Sequence, residues 1–119
     1  MTKYKNVKTI INGIKFDSKA EAEYYLIART YARQNNLELR LQEKFEIMPG
    51  FSLGGKNYRK INYIPDFTFY EDGQLVKVVD VKGMQTKDFK IKAKIFCYKY
   101  RTPLILAKKT ARGFEEIIF

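Results

Sequence analysis

The stretch that decides the fold runs from Asn62 to Gly83 and reads NYIPDFTFYEDGQLVKVVDVKG. It contains two runs typical of β-strands, one rich in aromatic residues and one rich in valine, around the turn sequence Asp72-Gly73. The stretch therefore predicts a β-hairpin. Three of its residues are charged where a strand would normally bury apolar side chains, namely Asp66, Asp80 and Lys82. Such a conflict with strand chemistry is typical of a functional site.

The length of the turn decides whether Asp66 and Asp80 lie on the same face of the hairpin. A two-residue turn at Asp72-Gly73 would point Asp66 to the opposite face. A three-residue loop, Glu71-Asp72-Gly73 with its glycine in the left-handed conformation, would pair Asp66 with Val78 and place it diagonal to Asp80, about 7 Å away at the backbone. We predict the three-residue loop, because it brings the two carboxylates close enough to share a cation.

The three charged residues suit one kind of chemistry. Asp80 and Lys82 share a face because side chains two positions apart along a strand project the same way. Carboxylate oxygens bind Mg²⁺ or Mn²⁺, which activates a water molecule and neutralises charge on a phosphate, while an ammonium group can stabilise the transition state. The pattern indicates a site for phosphodiester hydrolysis, with a metal held by Asp66 and Asp80 and with Lys82 beside it.

The spacing of these residues resembles a known signature. Pro65-Asp66 is followed, after thirteen residues, by Asp80-Val81-Lys82, which is similar to the signature of the PD-(D/E)XK nuclease superfamily. The phrases FDSKAEAEYY, YIPDF and VVDVKG also resemble small phage-encoded proteins placed in that superfamily, which includes Holliday junction resolvases. The likeness covers the chain from Ile11 to Leu106. It implies a restriction-endonuclease-like α/β core, in which a mixed β-sheet is flanked by two main helices.

The resemblance also implies an activity. It indicates a Mg²⁺- or Mn²⁺-dependent DNA endonuclease that acts on branched or recombination intermediates of a phage, or on duplex DNA, and that works as a homodimer. In many members an acid on the first helix completes the metal site, which gives that role to Glu21. From the residues alone, a capping box with Ser18 is the favoured interpretation of Glu21, and the role of site acid stays open as the alternative. Glu23 is the second candidate, but it faces elsewhere on the helix, so a solvated charge is its simpler interpretation.

Composition limits the chemistry and the partners. A chain of 119 residues predicts a single domain, residues 1–119. Lys and Arg outnumber Asp and Glu by 23 to 13, a net charge of +10, which favours a polyanionic partner such as DNA, with solubility as the plain alternative. Histidine is absent, which excludes His–metal sites and nucleophiles activated by histidine.

The sequence also bears on location. No apolar run reaches membrane-spanning length, and the N-terminus lacks a signal-peptide core. The single cysteine, Cys97, has no partner for a disulfide. We therefore expect a soluble protein of the cytoplasm, which is the host cytoplasm if a phage encodes the chain, with no contact with a membrane.

Two basic segments are candidates for DNA contact. The first is a predicted glycine-rich loop over residues 49–60, and the second is a helix predicted from Thr86, as its cap, to about Tyr100. Each segment could instead be a solvated surface. The candidate contacts are Lys56, Arg59, Lys60, Lys87, Lys90 and Lys94.

The remaining elements follow from hydrophobic patterns and turn signals. They are a hairpin of Val7–Ile11 and Ile14–Phe16 around Asn12-Gly13, a helix over about Lys19–Gln34, a strand over Leu37–Ile47, and a strand over Leu104–Ala107 that lies parallel to Val76–Val81. Lys108 to Arg112 is expected to be a basic exit from that last strand. Glu43 interrupts the apolar series of the Leu37–Ile47 strand, either as a further site acid or, more simply, as a strand end or bulge.

Two other functions fit the resemblance. The chain could be a non-catalytic DNA-binding module that retains the nuclease fold, or a phage protein-interaction factor. Asp66, Asp80 and Lys82 argue against both, because a site that has lost its activity has no reason to keep charges in a strand.

Overall fold

The computed structural model of the chain describes residues 8–119. Over these residues the chain forms two α-helices, α1 (Lys19–Gln34) and α2 (Lys87–Tyr100). The strands are β1 (Thr9–Ile11), β2 (Ile14–Phe16), β3 (Glu38–Leu41), β4 (Phe45–Met48), β5 (Phe51–Leu53), β6 (Lys56–Tyr58), β7 (Ile61–Tyr63), β8 (Phe67–Glu71), β9 (Gln74–Val81), β10 (Leu104–Thr110) and β11 (Gly113–Ile118). The protein is mixed α/β, with two helices and several sheets.

The largest sheet has five strands in the order β11-β10-β9-β8-β3. Strands β9 and β10 are parallel, with Val78 opposite Leu104, and the other neighbours are antiparallel. The predicted parallel pairing of β9 and β10 is confirmed. Three two-stranded sheets accompany it, formed by β1 with β2, β4 with β7, and β5 with β6.

Each face of the large sheet carries its own hydrophobic core. Successive strand residues point to opposite faces, so Val79 packs with Tyr24 of α1 and Val78 packs with Phe96 of α2. The buried apolar residues of these two strands are Val78 and Val79 of β9 and Leu104, Leu106 and Ala107 of β10. The two cores therefore place β9 between α1 and α2.

Both helices begin where the sequence predicts. The Ser18 Oγ accepts a hydrogen bond from the Glu21 amide at 3.1 Å, and the Thr86 Oγ1 accepts one from the Phe89 amide at 3.1 Å. Each cap satisfies a backbone donor that has no partner within its helix. The predicted bounds Lys19–Gln34 are confirmed.

The first hairpin is confirmed as far as the structure describes it. Asn12 and Gly13 form its turn with φ values of 52° and 77°, as expected of a two-residue hairpin turn. Val7, at the start of the predicted first strand, lies outside the described residues.

The single strand predicted over Leu37–Ile47 is wrong. The chain turns at Gln42, with a φ of 49°, and continues as β4 in a different sheet. Glu43 lies in this break and accepts hydrogen bonds from the Tyr70 hydroxyl at 2.6 Å and the Thr68 hydroxyl at 3.1 Å. Its interpretation as a strand end is therefore confirmed.

Two predicted irregular segments are also wrong. Residues 49–60 contain the β5–β6 hairpin, whose turn at Gly54 and Gly55 has φ values of 57° and 75°. The expected basic exit at Lys108 to Arg112 is in part a continuation of β10 to Thr110, which pairs with β11.

Among residues 8–119, neither helix is long and apolar enough to cross a membrane.

Candidate active site

The turn between β8 and β9 has two residues. Glu71 pairs with Gln74, and Asp72 and Gly73 between them have φ values of 50° and 79°. The left-handed conformation of the glycine is confirmed, but the three-residue loop is wrong. Two successive residues with positive φ are typical of the turn that matches the twist of a hairpin.

A β-bulge in β9 offsets the even turn. Tyr70 pairs with Leu75 while Phe69 pairs with Lys77, which leaves Val76 as an extra residue in β9. A bulge of one residue reverses the faces of all side chains beyond it.

Beyond the bulge the register brings the two carboxylates together. Phe67 pairs with Val79, so the same register continued by one residue places Asp66 opposite Asp80 and on the same face. The predicted pairing of Asp66 with Val78 is wrong, because Val78 pairs with Thr68. The bulge therefore achieves what the odd loop was expected to achieve.

Asp66 and Asp80 interact directly. Asp80 is only 1% exposed, and the Asp66 carboxyl hydrogen-bonds to it. The Asp66 Oδ2 also accepts a hydrogen bond from the Val81 amide at 2.8 Å. Burial first, and then the Asp80 carboxylate, raise the pKa of Asp66 to about 9. This shift favours the protonated form of Asp66 at neutral pH.

Lys82 lies beside this pair. Its Nζ is 3.6 Å from the Asp80 Oδ1 and 4.7 Å from the ring centre of Phe89. The Lys82 side chain is about one-third exposed, at 33%, so its ammonium faces both the buried carboxylate and solvent. The prediction that Asp80 and Lys82 are neighbours is confirmed.

Tyr63 is a site residue that the sequence did not reveal. Its hydroxyl donates a hydrogen bond to the Asp80 Oδ2 at 2.5 Å. Burial and the Asp80 carboxylate raise the pKa of Tyr63, which keeps the phenol protonated as a donor. An aromatic residue near a strand end is usually a core residue, and no pattern in the sequence distinguishes this one.

Glu21 lies near the carboxyl pair. Burial first, then the charges of Asp17 and Asp80, raise the pKa of Glu21, while Lys82 lowers it. The Glu21 carboxylate also hydrogen-bonds to the side chain of Ser18. The same residue thus sits at the helix cap and within electrostatic range of the site.

Glu23 lies elsewhere on α1. Its Oε2 accepts a hydrogen bond from the Lys109 Nζ at 2.5 Å. That ion pair joins α1 to β10 on a partly exposed surface.

A pocket opens beside Asp80 and Lys82. It has a volume of about 300 Å³ and is lined in part by Tyr63, Asp80 and Lys82. Asp88 and Lys92 of α2 also line it and form an ion pair at 3.3 Å. The volume equals roughly ten water molecules, which is enough for a phosphate group and a hydrated cation.

The donor set fits a hard divalent metal that keeps most of its waters. Among residues 8–119, no group of three or more Asp, Glu, Cys or His side chains is arranged to hold a metal as it stands. Mg²⁺ is usually bound through one or two carboxylates together with water and substrate phosphates. Asp66 and Asp80 would provide these two carboxylates, and the metal would replace the proton on Asp66.

All six predicted DNA contacts are exposed. Three lie on β6 or in the segment that follows it, and three lie on α2. The first group is Lys56, Arg59 and Lys60, and the second is Lys87, Lys90 and Lys94. The sequence did not single out Lys92, which lines the pocket itself.

The fold and the site define a mixed α/β domain in which two carboxyl groups, those of Asp66 and Asp80, interact beside a pocket that Asp80 and Lys82 line. The chain belongs to the DUF1064 family, described as a protein of unknown function, which matches residues 1–112. No curated protein matches the chain.

The chain is also similar to a solved structure described as "Crystal structure of SSO0001", with a TM-score of 0.45 and 20% identity. The likeness covers 80% of this chain and 48% of that one, so the chain spans about half the length of that protein.

Proposed function

We propose that this protein is a metal-dependent DNA endonuclease with a restriction-endonuclease-like core. The observation that carries the proposal is the hydrogen-bonded pair of Asp66 and Asp80, with the Lys82 ammonium 3.6 Å from Asp80. Asp80 and Lys82 line a pocket on a chain with a net charge of +10.

The energetics of the pair favour a functional role. Two carboxyl groups in a largely buried position cost stability, because one of them must stay protonated or meet a compensating charge. A hydrophobic pair at the same positions would avoid this cost. Strongly shifted pKa values at a pocket are typical of catalytic sites, and a divalent cation would compensate both carboxylates.

Each residue has a separate role in the proposed reaction. Asp66 and Asp80 would hold Mg²⁺ or Mn²⁺, with Glu21 as the third acid, and the bound metal would supply Lewis acidity and an activated water. Lys82 stabilises the charge that develops on the phosphate. Tyr63 fixes the orientation of Asp80 through its hydrogen bond.

The proposed substrate follows from charge and resemblance. The exposed cations of β6 and α2 suit a phosphate backbone. The resemblance to phage-encoded junction-resolvase-like proteins favours branched or recombination intermediates, cut by a homodimer in the host cytoplasm. A homodimer would present two sites, one for each strand to be cut.

One gel tests this proposal. The full chain is incubated with a four-way junction, a flap, a duplex and single-stranded DNA, each with Mg²⁺, Mn²⁺ or a chelator. We expect cleavage of at least one DNA form with metal and none with chelator. Binding without cleavage under every condition would favour the non-catalytic DNA-binding module instead.

A further inference from the structure

The β5–β6 hairpin and its exit, residues 51–60, form an arm with no buried residue. All ten residues are exposed. The β1–β2 hairpin is different, because its Phe16 is buried against α1. A two-stranded hairpin without a covering layer is only marginally stable in water. We therefore expect a bound partner to stabilise this arm.

One face of the arm is apolar and basic. Phe51 pairs with Tyr58, and Leu53 pairs with Lys56, so these four side chains share a face. The two rings stack with centroids 4.7 Å apart and an interplanar angle of 10°, and the Lys56 Nζ lies 5.3 Å from the centre of the Tyr58 ring. Leu53, next to the glycine turn, is 69% exposed.

The base of the arm is held tightly. A Cβ added at Gly50 would lie 3.1 Å from the Tyr58 carbonyl oxygen and 3.2 Å from the Lys60 amide nitrogen. Gly50 therefore permits a close backbone approach where the arm leaves the body of the protein. The arm then continues directly into β7, whose last residue, Tyr63, bonds to Asp80.

The charge of the arm favours nucleic acid as its partner. Residues 49–60 contain three cations, Lys56, Arg59 and Lys60, and no acid. Stacked rings with a neighbouring cation suit the faces of bases together with phosphates. In continuous duplex the base faces are covered by stacking, whereas an exposed apolar side chain can insert where the stack is interrupted.

We propose that the arm binds DNA preferentially where base stacking is interrupted. Leu53 is the residue that inserts there, and the Phe51–Tyr58 pair supports it. The inference rests on the proposed function for its partner, DNA, and adds the element that selects the form of DNA. The cations of the arm contribute to binding of every form, and the apolar face contributes only where bases are unstacked.

The test measures binding in the presence of chelator, so that it does not depend on cleavage. Fluorescence anisotropy gives the affinity of the full chain for a duplex with a central bulge of unpaired nucleotides and for a continuous duplex of the same length. Leu53→Ser should lower the preference for the bulged duplex at least about fivefold and leave the affinity for continuous duplex nearly unchanged.

Ile10→Ser is the matched control, because Ile10 is also 69% exposed and lies on the other small hairpin. It should leave the preference unchanged. Thermal melting of both variants should match the wild type, since neither residue is buried.

Two results would overturn the inference. One is a preference for the bulged duplex that is the same in the wild type and the Leu53→Ser variant. The same conclusion follows if Ile10→Ser reduces that preference as much as Leu53→Ser does. The other is a change from dimer to monomer when the Leu53→Ser variant is analysed by sedimentation, with its DNA preference unchanged. That result would show that the apolar face binds a second copy of the chain. If the preference falls while no DNA is ever cut, the arm keeps its role and only the proposed nuclease activity fails.

Discussion

Asp66 lies opposite Asp80 because the extra residue Val76 offsets the two-residue turn of their hairpin. An even turn alone would point Asp66 to the face packed on α1. The bulge returns it to the side of Asp80, where the two carboxyl groups share a hydrogen bond. Bulges are over-represented next to active sites, where they redirect side chains.

The turn of this hairpin should depend on its glycine. Gly73 has a φ of 79°, so Gly73→Ala should cost about 1 kcal/mol of unfolding free energy. Gly83 is the control, since a Cβ there meets no atom within 4 Å and its φ is not in the left-handed region. Gly83→Ala should cost less than about 0.5 kcal/mol. Urea unfolding measures both, and equal costs would contradict the turn geometry.

Asp66 should make the metal-free protein less stable at high pH. Its pKa is raised to about 9 in the folded state and is about 3.9 in an unfolded chain. Below about pH 4 both states hold the proton. Between about pH 4 and pH 9 only the folded state holds the proton on Asp66. The free energy of unfolding therefore falls as pH rises, by up to about 1.4 kcal/mol per pH unit.

The variant Asp66→Asn removes this dependence. Urea unfolding at pH 6 and pH 8 in chelator should show the wild type losing on the order of 2 kcal/mol relative to the variant. Asp88→Asn provides a control, because the Asp88 side chain is 78% exposed. A parallel pH dependence in wild type and Asp66→Asn would show that Asp66 does not hold a proton.

Local signals in the sequence predict most of the fold. The turn pair Asn12-Gly13 and the caps Ser18 and Thr86 place the first hairpin and both helices, since each acts within a few residues. The crossover through α2 gives the parallel pairing of β9 and β10.

The failures of prediction depend on long-range contacts. Nothing near Val76 marks a bulge, because a valine fits a regular strand equally well. Glu43 ends β3 through partners on β8 that are distant in the sequence. Tyr63 and Asp80 lie on strands of different sheets, so only the tertiary fold brings them together. The charged residues of the site could be found because they break the strand pattern, whereas Tyr63 does not break it.

Substitutions of Glu21 and Glu23 should distinguish an acid of the site from a surface charge. Glu21→Gln keeps a side chain that can bond at the Ser18 cap, so the fold should persist while cleavage falls at least about tenfold through loss of a metal ligand. Glu23→Gln loses only the ion pair with Lys109 and should cut at the wild-type rate. Cleavage rates with Mg²⁺ decide this, and two equal rates would leave Glu21 as a capping residue.

DNA binding should depend steeply on salt. Six exposed cations, three near β6 and three on α2, should give a slope of roughly −5 in log affinity against log salt. Lys90→Ala should reduce the slope by about one unit. Arg33→Ala is the control, because Arg33 lies in the last turn of α1, on the order of 18 Å along the helix from Glu21. A slope near zero for the wild type would indicate a partner other than DNA.

The most direct test of the central claim compares the wild type with Asp80→Asn for both binding and cleavage of the same DNA. Removing the carboxylate takes away a negative charge near the phosphate, so binding in chelator should be equal or tighter. Cleavage with Mg²⁺ or Mn²⁺ should be lost, because the metal loses an oxygen ligand and its water is no longer activated. Lys82→Ala should instead retain metal binding and cut about 10²- to 10³-fold more slowly. If Asp80→Asn cuts DNA as fast as the wild type, the pair of Asp66 and Asp80 is not a nuclease site.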